Sequence, residues 1–386
     1  MSLSAVIGQA TALDGREAAW QATRRALERM GIRTVKVAFI VASHDFPPEQ
    51  VLDGVSSLLG EIPVWGFSTT SGLSAEGQSR RSVVVALMGG SDVHAAANWW
   101  PGWGQDGSVV AREMIQDFEL EQAEGSLLIA TDGLAGDVEQ VCAALPRGKY
   151  TLGGCLAGGT FHGTTFQLGG KQAGSGGMAA AFLTGNFAAG VGVGLAWQPV
   201  GTYFMVGKTQ GTRLLTLDDH PAAEAYAHLT GYQASEWAKP PLNELIRLYP
   251  LGLEQEGSST LLVRSPIGME SDGSLQMGTT IPEGRNAYLL IGSAERYLQA
   301  SRDAAQQALN VLGKARPVLA LVFSDVAGQM LLEAQPGGEV EAVQSIVGAD
   351  VPVIGGYTYG QIAHAANTQT PQLLNQHIEV IVFGEL

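Results

Sequence analysis

The chain has 386 residues, a formal net charge of −15, 45% hydrophobic and 15% charged residues, and 51 glycines. That length and apolar share can support two or three domains with full cores. The acidic balance, with no lysine or arginine run, excludes the basic footprint of a nucleic-acid binder and the polybasic patch of a membrane-surface protein, and two cysteines, Cys142 and Cys155, are too few for a disulfide framework or a four-cysteine zinc site.

No basic region followed by an apolar stretch opens the chain, so no signal peptide is expected. The expected setting is soluble and cytoplasmic, with reduced cysteines. The first expected element is a helix over Arg16–Met30, with capping-box spacing at Asp14 and Glu17 and a stop at Gly31. A strand over Val35–Val41 follows. Pro47-Pro48 opens a helix whose apolar face is Val51, Leu52, Val55, Leu58 and Leu59. Ile62-Pro63-Val64-Trp65-Gly66-Phe67-Ser68-Thr69 comes next, then a strand at Ser82–Met88. Trp99, Trp100 and Trp103 cluster about Pro101 and read as a core or interdomain plug.

A second copy of this order follows. Its strand is Leu127–Thr131 and its helix Asp137–Leu145, ended by Pro146. Then come Thr151-Leu152-Gly153-Gly154-Cys155-Leu156-Ala157-Gly158 and a strand at Met178–Leu183. Gly177 to Trp197 has no charge and the length of a membrane span. Thr184-Gly185-Asn186 divides it, so Met178–Leu183 and Ala188–Ala196 read as a buried β-hairpin.

The composition then changes. Trp197 to Gly211 reads as strands with glycine turns. Asp219 is expected to cap a helix with Pro221 at its start, ending near Gly231. Strands at Thr260–Arg264 and Asn286–Ile291 precede a helix at Glu295–Leu312. A third copy closes the chain: strand Val318–Phe323, helix Glu339–Val347, Val351-Pro352-Val353-Ile354-Gly355-Gly356-Tyr357-Thr358, and strand Ile378–Phe383. Ile62–Thr69 aligns with Val351–Thr358 without a gap, and Gly153 and Gly154 take the places of Gly355 and Gly356.

Strand-helix-strand order implies an α/β layering, with α+β as the alternative. The expected architecture is mixed sheets layered with helices in two domains, 1–215 and 216–386, carrying a recurring strand-helix-strand-glycine turn-strand unit. Loops at strand ends are where such folds hold ligands. The known catalytic signatures fail. Gly66-Phe67-Ser68-Thr69-Thr70 lacks the second glycine of a nucleophile elbow, and Gly207-Lys208-Thr209 has Thr202 where a phosphate loop needs glycine. The expectation is no catalytic residue, no metal site and no enzyme activity. An enzyme with an unrecognised site is kept as an alternative, on Asp132, Asp325 and Cys155 at strand ends. A turn at Cys155 is there expected to lower its thiol pKa.

The glycine units and the segments between them resemble the FIST family, a sensory module of an N-terminal and a C-terminal FIST domain. The likeness rests on Val64–Gly72, Leu152–Phe161 and Thr216–Gly231 in one half. In the other it rests on Tyr249–Glu254, Leu261–Pro266, Ile281–Gly284, Val353–His364 and Leu373–His377. Two departures stand out: Gly360-Gln361-Ile362 where the family has Gly-Glu-Ile, and Phe323-Ser324-Asp325-Val326, with Gly328-Gln329 beyond, where it has a cysteine and then an arginine.

The resemblance implies a signal-input protein that binds a small ligand, with an amino acid or similar metabolite proposed. It implies output through a separate partner, such as a histidine kinase or a cyclic-dinucleotide enzyme. Two FIST domains use up the length, so no fused output domain is expected. Ligand contacts are expected at Gly66, Ser68, Thr69, Gly154, Cys155, Gly356, Tyr357, Tyr359, Gln361 and Asn375, with Arg264 meeting a carboxylate. The family also contains haem-binding sensors of nitric oxide. As an alternative, haem would take His162 or His364 as axial ligand, ahead of His44 and His377.

Overall fold

The computed structural model describes residues 2–31, 34–160, 163–237, 239–255, 260–364 and 370–386. The chain forms two compact units. One comprises Met1–Leu195, Leu298–Leu373 and His377–Leu386; the other comprises Ala196–Tyr297 and Leu374–Gln376.

In the first unit one pattern occurs three times: strand, helix, strand, helix, strand, short hairpin, strand. The first copy is β1 (Ser4–Thr11), α1 (Gly15–Met30), β2 (Val37–Ser43), α2 (Pro48–Leu59), β3 (Val64–Thr69), β4 (Gly72–Ser74), β5 (Gly77–Ser79) and β6 (Ser82–Gly89). The second is β7 (Val93–Trp100), α3 (Gly107–Asp117), β8 (Glu124–Thr131), α4 (Val138–Ala144), β9 (Lys149–Leu156), β10 (Gln167–Gly169), β11 (Gln172–Gly174) and β12 (Met178–Gly185). The third opens with β13 (Ala188–Leu195). It resumes after a long insertion with α5 (Ala294–Leu312), β14 (Arg316–Asp325), α6 (Val326–Leu331), α7 (Gly338–Val347), β15 (Val353–Thr358), β16 (Gln361–His364), β17 (Pro371–Leu374) and β18 (His377–Glu385).

The expected α/β architecture of mixed sheets and helices is therefore present, and the recurring unit is its building block. Each copy makes a four-stranded core of one order, β1-β6-β2-β3, β7-β12-β8-β9 and β13-β18-β14-β15. In each, one parallel pair carries the glycine-bearing strand: β2 with β3, β8 with β9, β14 with β15. The hairpins are exchanged in a ring. β4–β5 extends the third sheet beside β15, β16–β17 extends the second beside β9, and β10–β11 extends the first beside β3. Each copy thus covers an edge that its neighbour would otherwise expose.

Local sequence accounts for the elements. The Asp14 side chain accepts from Glu17 N at 2.9 Å and starts α1 as expected. Gly190, Gly192 and Gly194 of β13 lie under Ala300, Ala304 and Ala308 of α5, so closely that an added Cβ would stand about 2.0–2.1 Å from those alanine carbonyls. Two strand residues advance about 6.6 Å and four helix residues about 6.0 Å, so the glycine and alanine stripes stay in step. The inner faces of the three sheets share one core. Phe67 meets Phe323 at 5.4 Å, Phe39 meets Phe383 at 5.9 Å, and Trp65 meets Phe323 at 6.1 Å.

Three expectations are corrected. Met178–Leu183 and Ala188–Ala196 do fall on strands, but they are no hairpin. β12 pairs with β7 and β8, β13 pairs with β18, and the turn between them passes the chain from one copy to the next. The middle copy is shifted by one residue. An added Cβ would strike the neighbouring parallel strand's carbonyl at Gly66 (Ile40 O, 2.2 Å), Gly154 (Ile129 O, 2.5 Å) and Gly355 (Val322 O, 2.1 Å), so Gly154 takes the place of Gly355. Asp219 does not cap the helix Ala222–Thr230. Asp218 and Asp219 sit in a tight turn at φ 48° and 64°, and the Asp218 carboxylate accepts from Met205 N at 2.7 Å.

The tryptophan cluster is core. Trp100 and Trp103 are buried within the second copy, and their indoles donate to Asp117 Oδ2 (3.0 Å) and Ala135 O (2.6 Å). The second unit holds a four-stranded sheet ordered Gln198–Met205, Asn286–Ile291, Leu251–Leu253, Leu262–Arg264. Its core centres on Tyr226, Trp237 and Ile246, and Tyr226 donates to Tyr249 O at 2.7 Å. No helix among the described residues is long and apolar enough to cross a membrane.

Candidate functional site

In all three copies the parallel strand pair ends at its carboxyl side in a short loop, and the three loops are bonded to one another. Gly158, after β9, donates its N–H to Ser68 O at 2.8 Å and accepts from Ser68 Oγ at 2.8 Å. Tyr359, after β15, donates its N–H to Leu156 O of β9 at 3.0 Å. Thr69 of β3 closes the ring, its hydroxyl accepting from Tyr357 N at 2.7 Å and lying 3.0 Å from Tyr357 O. The first copy holds the third, the third holds the second, and the second holds the first.

The structure brings nine of the expected contact residues to this ring or the strands beneath it: Gly66, Ser68, Thr69, Gly154, Cys155, Gly356, Tyr357, Tyr359 and Gln361. Arg264 and Asn375 belong to the second unit. Most of the nine are spent on the fold. Ser68, Thr69, Cys155, Tyr357 and Gln361 are fully buried. Ser68 Oγ also accepts from Phe166 N at 2.9 Å, and Gln361 Nε2 donates to Thr358 Oγ1 at 3.0 Å. Arg264 is buried too, and donates to Val263 O at 3.2 Å.

Below the ring lies a buried polar centre. Gln361 stands across from Cys155 between β16 and β9. Glu379 of β18 is fully buried, with Oε2 3.4 Å from Gly154 N and Oε1 without a hydrogen-bond partner among the described residues. Desolvation pushes its carboxyl well above the ordinary range. Burial also pushes the Cys155 thiol well up, and Glu379 adds to it. The turn does not lower the Cys155 pKa: the thiol lies in the shared apolar core, where a thiolate has no solvation. Glu339 of α7 is raised by burial in the same way, and Ser324 Oγ approaches it at 3.4 Å.

The reachable groups are at the rim. His44, just after β2, donates its backbone N–H to Thr69 O at 3.0 Å and packs its ring near Gly159. Its Nδ1 is buried without a hydrogen-bond partner among the described residues, while Nε2 lies 3.8 Å from Asp45 Oδ1. Thr70 Oγ1 donates to Gln329 Oε1 at 2.9 Å, and the Tyr359 hydroxyl donates to Gly159 O. His44, Thr70 and Gln329 were not among the favoured contacts. His44 and Thr70 directly follow strand ends and Gln329 lies in the helix α6 that follows β14, positions whose meaning needs the true register of each copy.

Two family models match this chain, the FIST N domain over residues 36–220 and the FIST C domain over residues 222–364. The chain belongs to the FIST family. FIST domains are sensory and signalling domains. No curated protein matches the chain. Among solved structures it is similar to a cyanuric acid hydrolase described as an evolutionary innovation by structural concatenation, at 9% identity over 100% of both chains with a TM-score of 0.30. It is likewise similar to the cyanuric acid hydrolase from A. caulinodans, at 9% identity over 100% of both chains and a TM-score of 0.34. Likeness that distant decides nothing about this chain.

Both departures from the FIST pattern have a place in the structure. Gln361 is in the buried centre, and Gln329 reaches the rim. Among the haem candidates, His162 lies outside the described residues. His364 is exposed at the end of β16, beside a cleft of about 300 Å³ lined by Tyr150, Val191, Val193, Gln307 and Val311. That is the lower limit for a drug-sized ligand, and a porphyrin is larger than this cleft.

Proposed function

We propose that this FIST protein is a small-ligand sensor that signals through a separate partner, a histidine kinase or cyclic-dinucleotide enzyme, with an amino acid or similar metabolite as ligand. The supporting observation is the rim. Three strand-end loops converge there; His44 Nδ1 is buried without a hydrogen-bond partner among the described residues, its ring packs near Gly159, and Thr70 and Tyr359 bring hydroxyls on the same loops. A buried polar atom without a partner is costly, and a ligand group or an ordered water removes that cost. The deeper residues Ser68, Thr69, Tyr357 and Gln361 fix the loops, and His44, Thr70, Gln329 and Tyr359 meet the ligand.

Calorimetric titration with each common amino acid tests this reading. Saturable binding of at least one is expected, weakened about tenfold in His44→Ala through loss of one hydrogen bond to a charged group. Absence of heat with every amino acid at millimolar concentration would remove the amino-acid reading. Binding unaffected by His44→Ala would remove the rim.

A further inference from the structure

The three copies differ along the outer face of the edge strand. The face of each edge strand that looks toward its own helix carries Val6, Gly8 and Ala10 in β1, and Gly190, Gly192 and Gly194 in β13. The strand registers put Ala96, Asn98 and Trp100 of β7 at the same positions. In the first and third copies the glycines let α1 and α5 press onto the strand; Gly8 lies against Ala22 and Ala26. Asn98 denies that approach in the second copy. The helix there is also shorter, 11 residues in α3 against 16 in α1 and 19 in α5, and it packs on α4.

The strip so uncovered is a cleft of about 520 Å³ beside the hairpin β10–β11 and the start of β3. Its size is within the range of small-molecule sites. It lies at the opposite end of β3 from the rim, about 20 Å away along six strand residues. Ile62, Pro63 and Ala96 supply apolar surface to its lining. Glu61 and Lys171 at the mouth pair with each other. Asp117 is different. It is exposed, one oxygen is held by the Trp100 indole at 3.0 Å, and no cation among the described residues pairs with it. Asn98 stands exposed in the same lining with a second acceptor. Apolar lining beside an oriented carboxylate that no cation among the described residues pairs with suits a cation that carries an apolar body.

We propose that this cleft is a second binding site, distinct from the rim, for a small organic ammonium with a flat apolar body, held by Asp117 and Asn98. The probe is 2-phenylethylamine, with 3-phenylpropanoate as its charge-reversed counterpart, titrated calorimetrically into the full chain. The amine should bind saturably and the acid should not. Asp117→Asn should weaken the amine at least about tenfold, the value of one charge-assisted hydrogen bond. Ala96→Trp changes an exposed position and fills the cleft, so it should abolish binding with the melting temperature kept. His44→Ala, at the rim, should leave amine binding unchanged. The proposal is overturned if the amine gives no saturable heat at millimolar concentration, if the acid binds equally well, or if Ala96→Trp binds like the parent. Loss of amine binding in His44→Ala would instead assign it to the rim.

Discussion

Thr69 and Tyr357, which lie 288 positions apart, are joined through one hydroxyl that takes the Tyr357 N–H at 2.7 Å and sits 3.0 Å from the Tyr357 carbonyl. The same hydroxyl is 2.9 Å from Ser71 O, so its single proton serves two carbonyls. The joint closes the ring of three copies through a side chain, whereas each of the other two includes a backbone N–H to carbonyl bond. Thr69→Val keeps the shape and removes the hydroxyl's bond to the buried Tyr357 N–H, which should cost about 1–3 kcal/mol. Thr69→Ser keeps the hydroxyl and should cost about 1 kcal/mol for the lost methyl. Urea denaturation of both variants distinguishes them; equal losses would mean that the hydroxyl does not carry the joint.

The glycine triple makes a second prediction. Alanine at Gly66, Gly154 or Gly355 would put a Cβ within 2.1–2.5 Å of a carbonyl on the paired strand, and backbone in a parallel pair cannot step aside cheaply. Each substitution should cost about 3 kcal/mol or more. Gly60→Ala is the control. Gly60 has φ 61° with open space around it, so only backbone strain of about 1–2 kcal/mol is expected. Gly153→Ala should be milder than Gly154→Ala, and equal losses would mean that the carbonyl contact does not set the cost. An added Cβ at Gly153 meets only the flexible ends of Ile381 and Glu379.

That distinction also marks the limit of what the residues reveal unaided. Three copies are legible because Gly66, Gly154 and Gly355 answer one local need, and helix signals such as Asp14 with Glu17 are local too. Which glycine of Gly153-Gly154 meets the neighbouring carbonyl depends on strand register, a pairing property that no single strand carries. The same reason lies behind the supposed hairpin at Thr184–Asn186: the turn is local, but the sheet each strand joins is not. The glycine stripe of β13 waits about a hundred residues for α5, and the rim is assembled from loops of all three copies, so its histidine had no visible companions.

Thiol labelling gives a third prediction. Cys142 and Cys155 are both buried and unbonded to each other, and burial together with Glu379 holds the Cys155 thiol protonated. A disulfide reagent such as DTNB at pH 8 should leave Cys155 unmodified in the folded protein and label both cysteines once urea unfolds it. Rapid modification of Cys155 in folded protein would mean that the core opens on that timescale.

Glu379 should make stability fall as pH rises. Its folded-state carboxyl titrates well above the ordinary 4.5 because burial disfavours the charge and only Gly154 N opposes this. Above pH 4.5 the unfolded chain releases that proton while the folded chain keeps it, so folding takes up a proton. The contribution of Glu379 is therefore complete below pH 4.5 and is lost as pH rises toward its folded value, with a limiting slope of about 1.4 kcal/mol per pH unit. Glu379→Gln has nearly the same shape and no charge to suppress. Urea denaturation of both proteins at pH 5, 7 and 9 should give a difference that moves steadily in favour of the glutamine variant. Glu339, raised for the same reason, is common to both chains and cancels. A difference that stays constant over this range would mean that Glu379 is ionised in the folded protein, with a counter-charge reaching its second oxygen.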